Sequence, residues 1–167
     1  MKPSVGAGVV RVGPSFRSLA DERAVVSCPS LTSRIDLQGR MRLQRYLLIA
    51  IGGALGSIAR YEVGALAAER FGTRFPVGTL VINISACLLI GFSVEFLNRH
   101  ANIDPAWRYL VPVGFIGAYS TFSTFEWEIW MDFTSGAFWI GVLYMVASLV
   151  AGLVAVAVGA SMARSAA

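Results

Sequence analysis

Beyond residue 40 the chain alternates four long apolar runs with short polar connections, and the length of each run decides how it is read. At roughly 20 residues and about 1.5 Å of rise per residue, each matches a hydrocarbon core about 30 Å thick. Four transmembrane helices are therefore expected, over 46–68, 77–97, 109–130 and 138–162. The connections ERFGTRFP, NRHANIDPAW and MDFTSGA leave no room for a domain outside the membrane. Residues 1–40 break the pattern, with prolines, mixed charges and no apolar run long enough for a signal-peptide core. They are expected to be either a disordered N-terminal tail or an upstream extension from a misassigned start codon. Met41 is favoured as the first residue, because MRLQRYLLIAIGG sets arginines directly before a span. The transmembrane domain is then 41–167.

The third run departs from its neighbours. Its pattern gives way to GFIGAYSTFSTFEWE at 114–128, where glycines, hydroxyls and aromatic rings crowd together. Water is absent at membrane depth, so such groups need protein partners or a hydrophilic cavity. Gly114 and Gly117 weaken the helix, four non-aliphatic positions (119–122) follow, and a break in the third helix is expected there. Unwound carbonyls at that depth suit a cation. Further on, Phe122 and Phe125 share a face, as do Thr121 and Thr124, with Glu128 one turn below Thr124. Aromatic edges are positive, so two of them can flank an anion, although a phenylalanine pair taken alone is more often ordinary packing.

The other spans add polar groups in register. Gly52, Gly53 and Gly56 have the spacing that lets two helices approach closely, and packing is the favoured reading. Arg60 and Glu62 follow on different faces, each costly if it meets lipid. For Arg60, attraction of an anion and a structural ion pair stand level. Span two opens with PVGTLVIN, in which Pro76 suits the first turn and Thr79 and Asn83 fall four apart on one face. Their alignment favours a pore lining over interhelical glue. In span four, Tyr144 and Ser148 lie one turn apart, with Gly152 a turn further on, as either a hydroxyl track or a packing face.

Composition confirms the membrane class and removes others, since 56% of residues are hydrophobic and 14% charged. The formal charge of +4 forms no basic stripe, because six of the fourteen Lys and Arg residues precede Met41, so no nucleic-acid partner is expected. Cys28 and Cys87 lack metal or disulfide spacing, and His100, in a polar connection, is read as a solvated loop residue rather than a catalyst. The four tryptophans, near span ends, are read as interface anchors. Arg42, Arg45, Arg99, Arg108 and Arg164 outnumber Arg70 and Arg74 across the bilayer, a weak bias towards cytoplasmic termini.

Taken together, GGALGSIARY, PVGTLVIN, GFIGAYSTFSTF and the hydroxyls around Tyr144, in that order from Met41 onwards, resemble the Fluc (CrcB) fluoride channel family. The resemblance implies an all-α membrane protein of four transmembrane helices with a break in the third, paired as an antiparallel, dual-topology homodimer in the cell inner membrane. It implies fluoride pathways along the subunit interface and one structural sodium ion at the dimer centre. Asn83 would then supply an amide donor, Phe122 and Phe125 ring edges, and Tyr144 with Ser148 the hydroxyl track. Thr79, Thr124 and Glu128 would add further pathway polar groups, and the backbone carbonyls of Gly117 and Ser120 would bind sodium. Ala118, Tyr119, Ser120 and Gly152 depart from the family pattern.

No nucleotide site or carboxylate relay is evident, so the expected mechanism is passive electrodiffusion of fluoride out of the cytoplasm, without enzymatic chemistry. The alternative is a small multidrug-type exporter that exchanges protons for organic cations through Glu62. The polar cluster of span three has no purpose in such a transporter. A serine hydrolase would need a base that His100 is badly placed to provide.

Overall fold

The computed structural model describes residues 31–72 and 75–166, so most of the N-terminal tail, Cys28 and Arg74 lie outside the described residues. The chain divides into two compact units, Met1–Leu37 and Gln38–Ala167. In the first, residues 31–37 are helical. In the second, every regular element among the described residues is a helix. The α-helices are α1 Leu31–Phe71, α2 Val77–Arg99, α3 Ala106–Arg108, α4 Gly117–Tyr119, α5 Phe122–Thr134 and α6 Phe138–Ser165, with a π-helix, Tyr109–Ile116, joining α3 to α4. Among the described residues three helices are long and apolar enough to cross a membrane: Gln38–Phe71 within α1, then α2 and α6. The expected third span is distributed over the π-helix, α4 and α5.

Punctuation residues set the element ends. Gly72 (φ 74) closes α1 in a left-handed turn, its N–H on the Ala68 carbonyl at 2.9 Å. Gly136 (φ 84) does the same after α5, where the Ala137 N–H reaches back to the Asp132 carbonyl at 2.9 Å. Pro112 accounts for the π-helix. It has no N–H, and its ring would strike the carbonyl four residues back, so the turn widens and the Gly117 N–H divides between the Pro112 and Gly114 carbonyls.

Close packing then depends on missing side chains. A Cβ on Gly52 would strike the Leu110 carbonyl, and one on Gly56 the Phe115 carbonyl, so α1 lies directly on the widened backbone. Gly53 takes no comparable part, since its nearest neighbour would be 4.0 Å away. The main helix pair, α2 with α6, uses the same device twice, with Gly91 against the Val156 carbonyl and Gly159 against the Leu88 carbonyl. Two buried clusters complete the interior. Ile82, Ala86, Ile116 and Tyr119 tie α2 to the backbone before Ser120, and Phe125, Ile129 and Tyr144 tie α5 to α6 after it.

Four arginines, Arg45, Arg99, Arg108 and Arg164, gather at one end. Glu95 is shared by Arg99 at 2.8 Å and Arg164 at 3.7 Å, joining the ends of α2 and α6. Arg108 donates to the Leu97 carbonyl and to Asn98, and Arg45 lies 5.1 Å over the Tyr109 ring. Trp107, Trp127, Trp130 and Trp139 are all exposed, as headgroup anchors require.

Candidate functional site

Helix α4 stops at Tyr119, Ser120 (φ −69, ψ 157) and Thr121 (φ −146, ψ 103) are extended, and α5 starts at Phe122. Extended backbone in apolar surroundings strands its polar groups unless a neighbour satisfies them. Helix α2 provides that neighbour. The Thr121 N–H donates to Asn83 Oδ1 at 2.9 Å, and Asn83 Nδ2 donates to the Thr121 carbonyl at 3.1 Å. The carboxamide acts here as the adjacent strand of a sheet would, and it keeps one N–H in reserve.

This grip changes the carbonyls upstream. In an unbroken helix the Thr121 N–H would bond the Gly117 carbonyl, but it is committed to Asn83. Gly117 is exposed, and Ser120 has turned out of helical geometry. Gly117 and Ser120 line the same cavity. Peptide carbonyl oxygens are neutral, hard donors, of the kind that a hard cation such as sodium takes. No His, Cys, Asp or Glu cluster suited to a metal occurs among the described residues.

That cavity, of about 340 Å³, also brings together Asn83, Phe122, Phe125 and Ser148. Phe125 is buried at 5% exposure while Phe122 stands open at 73%, with 6.2 Å between ring centroids. Ser148 Oγ is buried and has no hydrogen-bond partner among the described residues. A second cavity, of about 460 Å³, is lined by Arg60, Thr79, Thr121, Thr124 and Glu128. The bonded pair connects the two, since Asn83 lines the first and Thr121 the second.

Tyr144 lines neither cavity. It is fully buried, edge-on to Phe75 and Phe125 at 5.5 and 5.1 Å, and its hydroxyl donates to Glu128 Oε2 at 2.8 Å. Thr79 Oγ1 donates to Glu128 Oε1 at 2.7 Å. One carboxylate thus collects hydroxyl protons from α2 and α6. Thr121 Oγ1 donates to Thr124 Oγ1 at 2.8 Å, extending the polar surface along α5.

Three participants were not legible as site residues. Thr121 shares a face with Thr124 in sequence, but its backbone role depends on a partner 38 positions away. Tyr119 and Ser85, whose oxygens lie 2.9 Å apart, gave no signal beyond a bulky residue beside the glycines. Glu62 is exposed and lines neither cavity. His100 caps α2, with Nδ1 2.9 Å from the Phe96 carbonyl and its ring 4.2 Å from that of Phe96.

Comparison with known proteins agrees in kind. The family described as CrcB-like protein, Camphor Resistance (CrcB), matches residues 47–160. A protein of Acidobacterium capsulatum named Fluoride-specific ion channel FluC is 50% identical over 115 residues, 69% of this chain and 92% of that protein. A protein of the same name from Solibacter usitatus is 46% identical over 120 residues, 72% of this chain and 98% of the relative. One from Chloroflexus aurantiacus is 38% identical over 122 residues, covering 73% and 97%.

Proposed function

The chain belongs to the CrcB-like family, whose members are ion channels and not enzymes, and on that premise we propose that it carries fluoride passively out of the cytoplasm across the cell inner membrane. The observation that carries the reading is the Asn83–Thr121 pair. It joins a cavity holding Arg60, Thr79, Thr124 and Glu128 to one holding Phe122, Phe125 and Ser148.

Four spans make the subunit, the third being the interrupted one, and two subunits pair in antiparallel fashion. Support comes from what one copy leaves open: Phe122 and Gly117 are exposed on the rim of the first cavity, where a second copy would cover them. Arg60 lowers the energy of an anion entering the second cavity, an effect that low-dielectric walls strengthen. The spare Asn83 N–H, the edges of Phe122 and Phe125, and the Ser148 hydroxyl then replace water around the ion, while Tyr144 and Thr79 hold the Glu128 carboxylate in place.

Fluoride is the smallest halide and holds its water most tightly, so selectivity requires closely spaced donors in a passage too narrow for chloride. A sodium ion held by the Gly117 and Ser120 carbonyls would offset anion repulsion at the dimer centre. Hydrogen fluoride that enters from acid surroundings dissociates inside, and the trapped anion leaves down the membrane potential. Fluoride-electrode recordings of efflux from liposomes holding purified protein test this. Rapid efflux is expected from the wild type and strongly reduced efflux from Phe122→Ile with dimer size unchanged. Equal efflux from protein-free liposomes would defeat the proposal.

A further inference from the structure

We infer that Tyr119 and Ser85 form a second clamp on the interrupted segment, positioning residues that hold the Gly117 and Ser120 carbonyls in register for an alkali cation. The inference rests on the cation reading above and deepens it. Tyr119 is the last residue of α4, next to extended Ser120, and is only 7% exposed, among Ile82, Ala86 and Ile116. A phenylalanine would fill that volume without bringing a hydroxyl into apolar surroundings. The hydroxyl is satisfied by Ser85 Oγ at 2.9 Å. Ser85 has one proton, and its shortest acceptor is the Val81 carbonyl at 2.7 Å, so Tyr119 donates and Ser85 passes the chain on to the α2 backbone.

The geometry makes this more than filler. The Tyr119 ring stacks on Phe115 at 5.9 Å, and the Phe115 carbonyl lies against Gly56 of α1. The segment is therefore tied to α2 and α1 just before Ser120, and to α2 again just after it through Asn83. Asn83 and Ser85 are two positions apart and project from nearly opposite sides of α2. One grip would let the intervening peptide swivel. Two grips on opposite sides fix its direction, and with it the Ser120 carbonyl.

Thermal unfolding of the purified full-length chain against sodium concentration, with choline chloride holding ionic strength constant, tests the clamp. Tyr119→Phe and Ser85→Ala should each raise the sodium concentration for half-maximal stabilisation by roughly three- to tenfold, the size one neutral hydrogen bond supplies. The double variant should be no worse than either single, and Ser85→Thr should restore the wild-type value. Should Tyr119→Phe fail to fold, Ser85→Ala and Ser85→Thr carry the test. An unchanged half-saturating concentration, with stability lowered equally at every sodium level, would mean a purely structural contact and overturn the inference. A wild-type chain without any sodium-dependent stabilisation would overturn both the clamp and the cation site. Fluoride efflux from the same preparation reports separately on the pathway.

Discussion

Ser148 and Asn83 illustrate two fates of a polar group where water is absent. Asn83 spends half its hydrogen-bonding capacity on Thr121, so Asn83→Ala strands a peptide N–H and carbonyl at once, at about 1–3 kcal/mol each. A lowered unfolding temperature and loss of fluoride efflux should appear together. Ser148 is the opposite case, a buried hydroxyl with no partner among the described residues, which costs stability within the subunit. Ser148→Ala is expected to unfold at the same or a higher temperature while fluoride efflux falls, a split that a packing residue would not show. Tyr144→Phe removes one of two hydroxyl donors to Glu128 and leaves the rings facing Phe75 and Phe125 in place. Its stability should drop by about 1.5–3 kcal/mol, as for a hydrogen bond to a charged group, with efflux reduced. The Thr79–Asn83 register was readable because one helix sets it. The meeting of Thr79, Tyr144 and Glu128 was not, because three elements set that.

At the scale of elements, sequence punctuation and hydropathy answered different questions. Pro76 and Gly136 mark the approaches to α2 and α6, which start at Val77 and Phe138, where the apolar runs were read to begin. Helix α1 instead starts at Leu31, fifteen residues ahead of the apolar run at 46, because LTSRIDLQGRMRLQ contains no proline and many helix formers. Hydropathy locates the lipid-facing part of a helix and says nothing of its polar extension. In the third run the glycines drew attention to 114–117, where the backbone stays helical and only widens around Pro112. The extended residues are Ser120 and Thr121, whose conformation depends on Asn83. Gly56→Val should be poorly tolerated, since its Cβ would meet the Phe115 carbonyl backbone. A fall in unfolding temperature well beyond that of Gly53→Val, which faces open space to 4.0 Å, is the expected comparison.

At the scale of the whole molecule, the arginines collected by Glu95, Asn98 and Tyr109 give one end a modest positive excess. A small bias suits the proposed pairing, in which the subunit inserts both ways and meets its inverted copy. Variants given extra basic residues at a single end should lose fluoride resistance when expressed alone and regain it when co-expressed with a variant biased the other way. The central claim is that donors from α2, α5 and α6, set around the Asn83–Thr121 pair, admit the smallest halide and refuse the next. The reversal potential across a planar bilayer holding the purified protein, with fluoride on one side and chloride on the other, tests it most directly. The account predicts a potential close to that of a membrane permeable to fluoride alone, and a potential near zero, showing chloride to pass as readily, would contradict it.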